Sequence, residues 1–193
     1  MAVLVEAISV VVRRDAINGR FRGGWARLVA LVPNDTLCSD DQLARVGFMS
    51  PADVESFVRH LETGGLTFVR DGHAVDISVV DQMHGPTIPT DWLEYARVCL
   101  GDTGNKVAAC WLFTEKRVAA GVHMPAKSMG LATPDGWHYE DSLSANFKFV
   151  GNDEFEDELK YLRTDGDVDV YLDLETGKEV FLSKAVDRNH GWN

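Results

Sequence analysis

The sequence predicts an α+β protein: a ferredoxin-like βαββαβ unit with one extra strand over residues 1–84, then a β-rich antiparallel meander over residues 91–193. Two observations predict the first module. Apolar residues recur at helical spacing over 21–32 and again over 54–61, and short β-type runs flank both segments. A third observation predicts the second module, because apolar and polar residues alternate at period two after residue 166.

The first strand is read over Leu4 to Arg13, almost continuously apolar at Ile8 to Val12, as expected of a central strand buried on both faces. In "RFRGGWARLVALVP", Phe21, Trp25, Leu28, Val29 and Val32 fall on one helical face, which Pro33-Asn34 end. "DTLCSDDQLARVGF" reads as two short strands around Ser39-Asp40-Asp41. Ser50 is the expected N-cap of the next helix, with Pro51 first, Asp53 completing an approximate capping box and Met49 stapled to Val54. Its buried stripe is Val54, Phe57, Val58 and Leu61, and Gly64-Gly65 supply a left-handed stop. His60 stands off the stripe in the last turn and is expected at the surface.

"LTFVRDGHAVDISVV" reads as a hairpin on Asp71-Gly72 with Arg70 opposite His73. That register puts Leu66, Phe68, Val75 and Ile77 on the apolar face, and Thr67, Val69, Ala74 and Asp76 on the other. "HGPTIPT" (84–90) marks the module boundary. A second hairpin, "DWLEYARVCL" and "KVAACWLF", follows around "GDTGN". With Leu100 opposite Lys106, Cys99 faces Val107 and lies away from Cys110, so Cys38, Cys99 and Cys110 are expected as buried free thiols. Residues 114–141 read as an irregular excursion, and "LSANFKFVG", "LKYLR", "VDVYLDL" and "EVFLS" as the strands of the meander. Trp111, Trp137, Met124 and Met129 are expected in core packing.

Charge narrows the function classes. The net charge is −11, and residues 151–193, with twelve acids and five bases, hold −7 of it. An acidic whole argues against nucleic acid, since neutralising phosphates requires a basic face. Five arginines in "RRDAINGRFRGGWAR" (13–27) form a local exception. The N-terminal run lacks the charge order of a secretory signal and no run spans a membrane, so a bacterial cytoplasmic protein is expected.

Motif tests exclude several chemistries. "GDTGNK" lacks the spacer and the hydroxyl residue of a phosphate-binding loop, and neither G-x-S-x-G nor H-E-x-x-H occurs. Asp165, Asp167 and Asp169 alternate as in a calcium loop, but Val170 replaces the turn glycine and Thr176 the bidentate glutamate. No metal and no cofactor is expected.

The leading expectation is a non-catalytic, inhibitor- or adaptor-like acidic module that docks a basic protein. Its contact face is Asp167, Asp169, Tyr171, Asp173 and Glu175; the rival reading of the same run is a solvated strand whose charges guard a sheet edge. The alternative is a small enzyme or metabolite-binding protein with Asp81, His84, His123 and His138 in the 81–90 and 114–141 loops, where a His–carboxylate pair could serve as a base. A third expectation is a homo-oligomer that pairs the 13–27 arginines with the acidic tail of another copy.

Overall fold

The computed structural model describes residues 1–101, 104–113, 130–146, 159–165, 168–173 and 179–183. Strands β1 (Ala2–Val5) and β2 (Ile8–Arg13) lead into helices α1 (Arg14–Gly19) and α2 (Gly24–Leu31). Strands β3 (Cys38–Ser39) and β4 (Leu43–Phe48) precede α3 (Pro51–Thr63). A small hairpin of β5 (Val69–Arg70) and β6 (His73–Ala74) is followed by β7 (Ile77–Asp81), β8 (Gly85–Pro86), β9 (Leu93–Cys99), β10 (Lys106–Leu112) and β11 (Leu131–Ala132). A 3-10 turn at Tyr139–Asp141, α4 (Leu143–Asn146), β12 (Leu159–Asp165), β13 (Val168–Asp173) and β14 (Glu179–Ser183) complete the described chain. The architecture is mixed α+β, with several sheets and four α-helices among the described residues.

The central sheet has the order β3-β4-β2-β7-β8, with every neighbouring pair antiparallel. One face carries Val10, Val12, Val46, Ile77 and Val79 against Ile17, Phe21, Leu28 and the Val54–Phe57–Val58–Leu61 stripe of α3. Each of those four α3 side chains contributes about 1.5–3 kcal/mol of transfer free energy before chain entropy is subtracted. The other face, through Val11, Leu43 and Val80, meets Val3, Val5, Ala108 and Cys110. These belong to a second sheet of order β11-β1-β10-β9, which draws strands from both sides of the 84–90 segment. Burial on both faces is why Ile8 to Val12 is apolar at every position except Ser9.

The predicted first strand is in fact two strands. Ala7 takes φ 48, a left-handed conformation that costs a non-glycine residue about 1–2 kcal/mol. Two hydrogen bonds hold the corner: Ala7 N–H donates to Gln82 Oε1 (2.7 Å), and the Gln82 backbone N–H donates to the Ala7 carbonyl (2.9 Å). Here the chain leaves the second sheet for the central one.

Other departures have local causes. Val29 is 44% exposed, because α2 runs only from Gly24 to Leu31 and buries Leu28 as its contact. Ser50 makes no side-chain capping bond, and Met49 is exposed and does not staple. The left-handed residue after α3 is Gly65 (φ 109), while Gly64 stays right-handed. In the Asp71-Gly72 hairpin the predicted pair Arg70–His73 forms, with φ 51 and 80 in the turn, yet Ala74 and Asp76 are buried. Asp76 accepts Thr67 N–H (2.9 Å) and pairs with the Arg20 guanidinium, so a carboxylate read as solvent-facing ties α1 to β7. Cys99 lies opposite Lys106, one position off the predicted register, and its thiol is exposed. Residues 143–146 of the predicted strand "LSANFKFVG" form a helical turn.

Candidate functional site

Strand β7 ends at Asp81, and the chain reverses to Gly85 opposite it in β8. The Asp81 side chain organises this turn. Its Oδ1 accepts Met83 N–H (2.8 Å) and His84 N–H (2.9 Å), and it faces His84 Nδ1 at 2.8 Å. An ionised carboxylate only accepts, so Nδ1 carries the hydrogen and Nε2 keeps its lone pair. The Asp81 side chain is largely covered, whereas that of His84 is 57% exposed.

Two side chains of β9 close over the same turn. Tyr95 donates its hydroxyl to the Gln82 carbonyl, and Arg97 donates to the Met83 carbonyl at 3.2 Å. Burial pushes the Tyr95 phenol up to about 12, with the neighbouring Arg97 charge acting against that rise. Carboxylate, imidazole, phenol and guanidinium thus gather around residues 81–85. Tyr95 and Arg97 escape sequence reasoning, although their alternation in "LEYARVC" places them on one side of the strand.

His138 and His123 are the other members of the predicted constellation. His138 is exposed and begins the 3-10 turn, its carbonyl accepting Asp141 N–H (3.3 Å). His123, Met124 and Met129 lie outside the described residues. Among the described residues, no group of three or more His, Cys, Asp or Glu side chains could hold a metal ion.

A second polar cluster lies between the two large sheets. Arg45, only 2% exposed, donates from Nε to Ser9 Oγ (2.8 Å), from Nη2 to the Glu6 carbonyl (2.8 Å) and from Nη1 to the Thr36 carbonyl (3.3 Å). Burial draws the pKa of its guanidinium down. The Glu6 carboxylate accepts Ser144 N–H (3.0 Å), the Ser144 hydroxyl (2.6 Å) and Trp137 Nε1–H (3.2 Å). This cluster fastens residues 137–144 to the Glu6-Ala7 corner, and Arg45 within it is almost wholly buried.

The predicted acidic face falls on the third sheet, of order β12-β13-β14. Asp169, Tyr171 and Asp173 lie on β13, while Asp167 and Glu175 fall outside the described residues. Because β13 is the middle strand, its charges do not guard a sheet edge. Tyr171 is opposite Tyr161, and their rings meet edge to face with centroids 5.5 Å apart. Tyr161 is 52% exposed, and Val170, between the aspartates, is fully buried. Arg163 reaches across to Glu179 with two bonds of 2.8 and 2.9 Å, and this pairing lowers the Glu179 pKa.

No family model, no curated protein and no solved structure matches the chain.

An apolar groove of about 510 Å³ also lies between α3 and the β5–β6 hairpin, walled by Val54, Val58, Phe68, Val79 and Ile88. Its rim carries Glu62 and the ion pair Arg59–Glu55. Among the described residues, its lining includes no histidine, cysteine or serine.

Among the described residues, no helix is long and apolar enough to cross a membrane.

Proposed function

We propose that this chain is a non-catalytic binding module whose acidic third sheet docks a basic protein partner. The observation that carries the reading is the Tyr161–Tyr171 pair: an aromatic contact left half in solvent, within a segment that holds −7 of the net charge. Exposed tyrosine supplies rigid amphipathic contact area at small entropic cost, and surrounding charge of one sign accelerates encounter with the opposite sign. Asp169 and Asp173 stand two positions to either side of Tyr171 on the same strand. The antiparallel order β3-β4-β2-β7, with helices after β2 and after β4, supports reading residues 8–81 as the ferredoxin-like unit. The β12-β13-β14 order supports the meander. That topology hosts many functions and selects none.

The test is affinity capture followed by titration of the captured protein against variants. Tyr161→Ala and the double reversal Asp169→Lys/Asp173→Lys should each weaken association at least about tenfold, and added salt should weaken it further. Partners that bind these variants as tightly as the parent chain would remove this face from consideration.

A second reading, a small enzyme or metabolite-binding protein, is favoured by one observation, the hydrogen bond from Asp81 to the largely exposed His84 ring.

A further inference from the structure

Two exposed histidines of this chain share one tautomer and differ in what holds it. His60 Nδ1 lies 2.7 Å from the Ser56 carbonyl, a neutral acceptor one helical turn back. His84 Nδ1 lies 2.8 Å from the Asp81 carboxylate. In both rings the hydrogen sits on Nδ1 and Nε2 keeps its lone pair, and both residues are exposed. When Nε2 bonds an electrophile the ring becomes positive. At His84 that charge develops against a fixed anion, whereas at His60 it develops against a carbonyl dipole. Of the four histidines among the described residues, His84 alone has a carboxylate partner.

The turn also supplies a cation. Arg97 is anchored on the carbonyl of Met83, the residue before His84, and Tyr95 is anchored on the carbonyl of Gln82. A guanidinium bonded to the backbone one residue before a nucleophilic histidine suits an electrophile that carries negative charge, and phosphoryl groups are the common biological case.

We propose that His84 Nε2 is a phosphoryl-acceptor nitrogen, activated by Asp81 and served by Arg97; this deepens the second reading above and rests on it. In the step, the Nε2 lone pair bonds to phosphorus, and the bond from phosphorus to the leaving group breaks with its electron pair on the leaving group. The Nδ1 hydrogen stays between ring and carboxylate, so Asp81 faces the charge that the ring gains. Asp81 positions and stabilises, and His84 alone forms the new bond.

The experiment uses the full chain and two small probes, with modification at each histidine followed by peptide mass spectrometry. Phosphoramidate is the anionic probe, its phosphorus–nitrogen bond breaking to release ammonia. Diethyl pyrocarbonate is the neutral probe. The expected result is that both probes modify His84 about tenfold faster than His60. Asp81→Asn, which keeps an acceptor oxygen for the turn's N–H groups, should bring His84 down to the His60 rate with both probes. Arg97→Gln should slow phosphoramidate severalfold and leave diethyl pyrocarbonate unchanged, with His60 constant throughout and circular dichroism confirming the fold. If His84 is no faster than His60 with either probe, or Asp81→Asn leaves its rate unchanged, the proposal and the second reading both fail. If His84 is faster only with the neutral probe, or if Arg97→Gln slows both probes equally, the phosphoryl assignment fails while an activated histidine stands.

Discussion

The guanidinium of Arg45 occupies the space that a side chain at position 47 would fill. A Cβ built on Gly47 would lie 2.6 Å from Arg45 Nη2 and 2.9 Å from its Cζ. The two residues share β4 and the face turned toward the second sheet, so the absent side chain at 47 is the condition for a buried arginine at 45. Gly47→Ala should therefore lower stability by about 1–3 kcal/mol through overpacking. Arg45→Ala should cost at least about 3 kcal/mol, because Ser9 Oγ and the carbonyls of Glu6 and Thr36 each lose a donor. Urea unfolding checks both, read as a shifted midpoint at constant slope.

Gly64 meets a similar constraint from an aromatic ring. An added Cβ there would fall inside the van der Waals envelope of Phe21, which packs in the helix-side core. Gly64 has helical φ of −77, so alanine gains about 1 kcal/mol of propensity. The clash should outweigh that gain and leave Gly64→Ala net destabilised by about 1–2 kcal/mol. Adding Phe21→Leu should recover part of the loss at position 64, and a double-mutant cycle measures how much.

The thiols should separate into two classes. Cys99 is exposed, whereas Cys38 and Cys110 are buried and their burial raises both pKa values. A native-state titration with a disulfide reagent at neutral pH should therefore count one fast thiol of the three, and denaturant should release the other two. Two or three fast thiols in the native protein would contradict the packing of Cys38 and Cys110 between the sheets.

Tyr95 should ionise well above the ordinary phenol range. Its phenol rises from an ordinary 10.0 to about 12, chiefly through burial. For an acid whose folded pKa is raised, the stabilising contribution is complete below the unfolded value and is lost as pH climbs through the folded one. Tyrosinate absorbance should show a component near pH 12 that Tyr95→Phe removes. Unfolding scans should show stability falling between about pH 10 and 12, less steeply in that variant.

Legibility followed the strength of local patterning. The α3 stripe, the Asp71-Gly72 turn and the two strands around Ser39-Asp40-Asp41 were readable because short-range periodicity and turn chemistry determine them. The break at Ala7 was not, since neither glycine nor proline marks it and the hydrogen bonds that hold it come from Gln82, far along the chain. Burial of Asp76 depended on Arg20 in the same way. Of the candidate site, Asp81 and His84 could be named because both stand in or beside the 81–90 loop, where site residues often collect. Tyr95 and Arg97 reach the turn only through tertiary packing of β9, which no local signal encodes.

The corner at Ala7 also bears on synthesis. Strand β1 is made long before its antiparallel partner: Val3 sits opposite Cys110, so β1 waits for roughly a hundred further residues before β10 exists. Strands β2, β4 and β7 pair with one another and with the helical layer within residues 8–81, and these elements can begin to assemble during that delay. A nascent chain at that stage presents Val11, Leu43 and Val80 as a bare oily wall, and a ribosome stalled short of Lys106 would display that wall to chaperones and to its neighbours.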